Sequence, residues 1–216
     1  MITLSEEQNN AINSILEFFR NSEEIAFSLT GQAGTGKSTV INELCNILDK
    51  SYTPYVLCAP THKAALVVQR LSGREALTLH KLLSLKPNVE IFDLDFRELE
   101  FRIGSNQVHI PYNGLIICDE ASMVNDELFK LLVERAKQNC SKICFISDKA
   151  QLAPVKSKQI SLVYDLKEQF NLTKIYRQSS ESALIDPLQA LRSNCIPRFD
   201  THIAEHGSIV CTSEMA

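Results

Sequence analysis

The sequence predicts an α/β fold with a parallel sheet covered by helices on both faces. Two observations predict it. Short apolar runs alternate with amphipathic stretches along most of the 216 residues, and strands buried on both faces read as near-continuous apolar runs. A glycine-rich loop also joins the first apolar run to a helical stretch, so that unit is strand, loop and helix in that order.

Taken in order, the first helix is "SEEQNNAINSILEFF". Ser5 suits its N-cap, and Ala11, Ile12, Ile15, Leu16 and Phe19 recur at helical spacing. "EIAFSL", Glu24 to Leu29, reads as a strand, followed by the glycine loop and the helix "STVINELCNIL". Strand "YVLCA" and helix "HKAALVVQRL" come next, then strand "LIICDE", helix "DELFKLLVERAKQ" and strand "KICFIS". The last clear elements are strand "FNLTKIY" and helix "SALIDPLQALRS", which Pro187 interrupts.

One segment breaks the rhythm. Within Leu85 to Tyr112, "LEFRI" and "QVHI" alternate apolar and polar residues around "GSN", the pattern of a β-hairpin. Residues 85–112 are therefore expected to form a small insertion. Residues 1–84 and 113–200 then make one discontinuous domain, and 201–216 form a tail without a strong pattern.

Composition narrows the class. Hydrophobic residues are 44% and charged residues 22%, ordinary values for a globular chain. No apolar run approaches the roughly 18 residues of a membrane helix, and "MITLSEEQNN" lacks the pattern of a signal peptide. A cytoplasmic protein with no membrane partner is the expectation. The seven cysteines include no CxxC pair and sit mostly in apolar runs, as small buried hydrophobes in a reducing compartment do. A net charge of −4 argues against clamping duplex DNA through many phosphates. Any nucleic-acid contact should be local and helped by base stacking.

The glycine loop is the most specific signal. "GQAGTGKS", Gly31 to Ser38, fits G-x-x-x-x-G-K-[ST] between a strand and a helix. Gly31, Gly34 and Gly36 allow backbone N–H groups close to phosphates, and the helix N-terminus adds favourable charge. Lys37 is expected to reach the β and γ phosphates of ATP, and the Ser38 hydroxyl to ligate Mg²⁺. Ala33, Thr35 and Thr39 complete the cofactor contacts. At the end of "LIICDE", Asp119 suits the second Mg²⁺ position and Glu120 suits a group that orients an attacking water. The same pair also reads as solvated acids capping the next turn.

With these motifs placed, the chain resembles superfamily 1 DNA helicases of the RecD and Dda branch. "APTHKAAL" resembles motif Ia, "LSGREALTLHKLL" the motif Ib region, "SDKAQLAPV" motif III and "LTKIYRQ" motif IV. The resemblance covers about residues 4–195 and implies a RecA-like domain that binds ATP and Mg²⁺. It implies that Gln8 reads adenine, although Ser5-x-x-Gln8 is equally a capping box. By the same likeness Gln151 senses the γ-phosphate, Arg177 opposes charge in the transition state, and Tyr176 stacks on adenine. Pro60, Thr61, His62, Lys63, Thr78 and His80 would contact single-stranded DNA, although Thr61 also suits an N-cap and His80 suits packing under its loop. The hairpin resembles the family's strand-separating pin, with Phe101 and His109 facing the DNA fork.

Two departures stand out. Ser147 occupies a position where motif III usually has glycine, and motifs V and VI find no match. The family's second RecA-like domain is therefore expected to lie outside these residues. The expected function is the ATP-binding motor domain of a 5′-to-3′ helicase acting as a monomer. A phosphate-loop kinase and a non-catalytic nucleotide-dependent DNA-binding module are the competing readings.

Overall fold

The computed structural model describes residues 4–87, 101–103, 110–148, 161–176, 202–204 and 207–209. For 86–87, 101–103 and the last two segments it describes the backbone. The chain divides into two compact units, residues 1–174 and 175–216.

In the first unit, helix α1 spans Glu6–Asn21 and leads to strand β1, Ala26–Gly31. The glycine loop opens α2, Lys37–Lys50, followed by β2 (Tyr55–Ala59), α3 (His62–Ser72), β3 (Ala76–Thr78) and the single turn α4 (Leu79–Leu82). Two short strands follow, β4 (Leu85–Pro87) and β5 (Phe101–Ile103). The main sheet then gains β6 (Leu115–Cys118), α5 (Asp126–Gln138), β7 (Lys142–Ser147) and β8 (Glu168–Leu172). In the second unit β9 (His202–Ala204) pairs antiparallel with β10 (Gly207–Ile209).

Six strands form one sheet in the order β3-β2-β6-β7-β1-β8, every pair parallel. Successive strand residues point to opposite faces, so the inner strands feed two cores. Leu29, Leu57, Ile117 and Ile146 pack with Ile15 of α1, Leu44 of α2 and Val68 of α3. Ile116, Cys118, Ile143 and Phe145 pack with Leu79, Leu82 and Leu132 on the other face. Both faces being covered explains why β2 and β6 read as continuous apolar runs.

The ends of elements follow local chemistry. The α1 start is a complete capping box: Ser5 Oγ accepts from Gln8 N–H and Gln8 Oε1 accepts from Ser5 N–H. Asn125 caps α5 through Leu128 N–H at 2.9 Å.

Several expectations are corrected. β6 stops at Cys118 because Glu120 turns into the left-handed region, φ 54°. β8 runs over Glu168–Leu172 and not to Tyr176, because the amides of Thr173 and Lys174 donate to the Glu7 carboxylate instead of to a neighbouring strand. β3 was not legible: three half-buried residues at a sheet edge carry no apolar run. In the 85–112 segment the described pairing joins Leu85–Pro87 to Phe101–Ile103. The expected "GSN" turn and most of the "QVHI" strand lie outside the described residues, as does the "SALIDPLQALRS" helix.

Among the described residues no helix is long and apolar enough to cross a membrane. The described cysteines are all free; Cys45, Cys58, Cys118 and Cys144 are buried and Cys140 is exposed.

Candidate nucleotide and DNA site

Parallel strands place all their C-terminal ends on one edge of the sheet, where open α/β sheets bind ligands. Gly31 ends β1 between β7 and β8 and opens the glycine loop. A Cβ on Gly31 would lie 2.7 Å from Thr35 Oγ1 and 3.0 Å from Leu172 Cβ, so only glycine fits. Gly34 and Gly36 have φ of 90° and 88°, backbone that side chains rarely adopt. The buried Thr35 ties the loop across itself, its hydroxyl donating to Gln32 O at 2.8 Å. Gly36 stands at the N-cap of α2 and offers no side-chain cap, leaving the helix's first amides to a ligand. The Lys37 ammonium folds over the loop and donates to Gly31 O at 2.6 Å and Gln32 O at 3.1 Å.

Gln8 reaches this loop. It is buried, and its Nε2 donates to Thr35 O at 3.3 Å while its Oε1 serves the capping box. A Cβ on Gly36 would come within 2.2 Å of that amide nitrogen.

The carboxylates come from β6, which one strand, β7, separates from β1. Asp119 is nonetheless close to the loop. It lines one crevice with Ser38 of α2 and with Ile41, Val68, Leu71 and Ser72. Burial pushes its carboxyl up to about 6; the nearby Glu120 carboxylate adds to this, while the Glu120 N–H and the Lys37 charge work against it. That N–H donates to Asp119 Oδ1 at 2.9 Å. Glu120 occupies the N-cap of the short 3-10 turn Ala121–Met123, yet its side chain makes no capping hydrogen bond. Its left-handed backbone is of the kind that proteins retain at functional sites at an energetic cost.

The candidate DNA contacts lie along the same C-terminal edge, at the β3 side of the sheet. β2 ends at Ala59 opposite Thr78 at the end of β3, which brings Pro60 and Thr61 beside Thr78. Thr61 and Thr78 are both N-caps, accepting from Ala64 N–H at 3.2 Å and Lys81 N–H at 3.1 Å. His62 and Lys63 are exposed. His80 is half-buried, and burial lowers its pKa.

Gln151, Arg177 and His109 lie outside the described residues, and Phe101 is described by its backbone. Tyr176 is exposed. Two contributors escaped the sequence reading. Glu7 binds the backbone that follows β8, and only the acidic first turn of α1 hinted at a special carboxylate. Arg74 ties the exit of α3 to α2, donating to Asp49, Asn42 and Asn46. No periodic signal marks such a pairing.

A glycine loop between a central parallel strand and a helix, with a half-buried acid at a nearby strand end, defines a RecA-like P-loop nucleotide-binding domain. The chain belongs to the AAA domain family, whose model matches residues 3–214, and within it to the superfamily 1 RecD and Dda-like helicase branch. It is 30% identical over 211 residues to the "ATP-dependent DNA helicase dda" of Enterobacteria phage T4, covering 94% of this chain and 46% of that protein. Against the "ATP-dependent RecD2 DNA helicase" of Deinococcus radiodurans it is 30% identical over 167 residues, covering 76% of this chain and 21% of the relative. The fold matches the crystal structure of Pif1 helicase from Candida albicans with a TM-score of 0.65 at 23% identity, covering 91% of this chain and 45% of that one. The chain thus spans about half the length of the first relative, 46%, and about a fifth of the second, 21%.

Proposed function

We propose that the chain is the ATP-binding motor domain of a 5′-to-3′ DNA helicase that couples ATP hydrolysis to movement along single-stranded DNA. The observation that carries this reading is convergence. Lys37 and Ser38 at the start of α2 meet Asp119 from β6, while the paired ends of β2 and β3 offer capped helix starts on the same sheet edge.

Lys37 exchanges the Gly31 and Gln32 carbonyls for phosphate oxygens, and the amides of the loop and of Thr39 cradle the β and γ phosphates. The donor set fits Mg²⁺: a hydroxyl and a half-buried carboxylate share one crevice, and a cation there offsets the desolvation that raises the Asp119 pKa. Ser38 and Asp119 would hold that Mg²⁺, which neutralises phosphate charge when bound. Glu120 orients the attacking water and accepts its proton. The family resemblance assigns Gln151 to sensing the γ-phosphate and Arg177 to opposing charge in the transition state.

Gln8 reads adenine with capacity its present bonds leave over, one lone pair on Oε1 and one N–H on Nε2. The family resemblance assigns Tyr176 to stacking on the base. A single strand crosses Pro60, Thr61, His62, Lys63, Thr78 and His80, taking few phosphate contacts in keeping with the net charge of −4. The 85–112 insertion, with Phe101 and His109, meets the fork. The working motor is a monomer whose second RecA-like domain supplies the opposite wall of the ATP site.

Nucleotide titration with and without single-stranded DNA tests this. Lys37→Ala removes a charge-assisted contact of about 1.5–3 kcal/mol, so ATP affinity falls roughly tenfold or more. In a protein that includes the second domain, single-stranded DNA accelerates ATP turnover. A kinase would ignore the DNA, and a binding module would hydrolyse nothing.

A further inference from the structure

We propose that Glu7 is a positioning residue for base recognition, tying the first turn of α1 to the end of β8 so that Gln8 stays against the phosphate loop. The inference rests on Gln8 facing the adenine.

Three hydrogen bonds converge on the Glu7 carboxylate. Oε1 accepts from the Thr173 amide at 2.8 Å and from the Thr173 hydroxyl at 2.6 Å, and Oε2 accepts from the Lys174 amide at 3.0 Å. Thr173 and Lys174 directly follow Leu172, which is in register with Gly31 at the mouth of the glycine loop. The next side chain, Gln8, donates to Thr35 O in that loop at 3.3 Å. Two consecutive residues of one helical turn therefore hold both sides of the β1–β8 end. The capping box joins Ser5 to Gln8 within the helix, but it ties the helix to nothing else. A helix start frays unless something outside it holds it. Glu7 supplies that tie next to the residue that needs it.

The chemistry demands a carboxylate. The partners are two amide donors and a hydroxyl, and only an acceptor-only group meets all three. A glutamine would turn its NH₂ towards one of the donors. Although burial acts to raise it, the Thr173 hydroxyl and the Thr173 and Lys174 amides hold the Glu7 carboxyl below its usual range. Sequence spacing alone shows none of this, since the partners lie 166 and 167 residues away.

The test compares Mg²⁺ complexes of ATP, GTP and inorganic tripolyphosphate on the 216-residue chain, by competition against a fluorescent nucleotide. Glu7→Ala and Glu7→Gln should weaken ATP roughly threefold to tenfold, the scale of one or two hydrogen bonds. GTP should weaken less and tripolyphosphate not at all, so the preference for ATP over GTP shrinks towards that of Gln8→Ala. Glu7→Gln keeps the side-chain volume and carries the test where Glu7→Ala fails to fold. If Gln8→Ala shrinks the preference and both Glu7 variants leave it intact, Glu7 merely fastens the helix and the proposal falls. Equal weakening of all three ligands also overturns it. If Gln8→Ala itself leaves the preference unchanged, the adenine reading fails and takes this inference with it.

Discussion

Asp119, proposed above to hold Mg²⁺, carries a stability cost that depends on pH. Its folded-state carboxyl sits at about 6, above the roughly 3.9 of an exposed aspartate. Between those values the folded chain holds more protons than the unfolded one, so stability falls as pH rises through that window. Above about pH 6 the partly desolvated charge is a standing cost in the nucleotide-free chain. Asp119→Asn keeps an oxygen for the Glu120 N–H and removes the charge. Its melting temperature should exceed that of the parent at pH 7.5, and the gain should vanish below about pH 4. Mg²⁺-dependent nucleotide binding should weaken in the same variant. A parent-like melting temperature at pH 7.5 would show that solvent already relieves the charge. The acid itself was legible, because it ends an apolar run. Its partner Ser38 was legible only as part of a motif, since 80 residues of chain lie between Ser38 and Asp119.

At the scale of elements, α2 and α3 must keep a fixed spacing, because one carries Lys37 and Ser38 and the other begins at the candidate DNA contacts. Arg74 holds that spacing. Its guanidinium donates to Asp49 Oδ2 at 2.6 and 3.1 Å, to Asn42 Oδ1 at 3.0 Å and to Asn46 Oδ1 at 2.7 Å, and it also donates to the Ser72 carbonyl. Tyr55 donates to the other Asp49 oxygen at 2.8 Å and locks that carboxylate. The pair is only partly shielded from solvent, so it is worth less than a buried one. Arg74→Ala should cost about 1–3 kcal/mol in urea unfolding, the scale of several hydrogen bonds to a charged group. Arg74→Lys should recover little of that, because a point charge cannot fork to three side chains. Full recovery in Arg74→Lys would mean that charge alone mattered. Most helices and strands were readable, because each carries a local period or a cap such as Thr61 or Asn125. β3 and the end of β8 were not, because what defines them is a neighbouring strand and the Glu7 carboxylate.

At the scale of the whole molecule, one RecA-like sheet offers one wall of an ATP site. Phosphoryl transfer depends on positioning and on opposing charge, and an arginine supplied in trans can be worth about 10³–10⁵ in rate. The 216 residues alone should therefore bind Mg²⁺-ATP and single-stranded DNA weakly, turn ATP over slowly and separate no forked duplex. The check is an unwinding assay on this chain after size exclusion. Clear ATP-dependent strand separation would refute the half-motor reading and require a second wall from self-association.

Sequence by itself determined the sheet-and-helix class, the phosphate loop and the acids that follow "LIIC". Each of these is written in contiguous residues whose spacing reflects backbone geometry and cannot be satisfied otherwise. Tertiary structure alone decided the strand order, which puts β7 between β1 and β6 yet still brings Asp119 to Ser38. It alone decided that Gln8 is at once a helix cap and a wall of the phosphate loop, and that Glu7 reaches Thr173. Such contacts join residues distant in sequence. They exist only once burial of two cores has paid the entropy of closing the loops between them, and no local pattern records that closure.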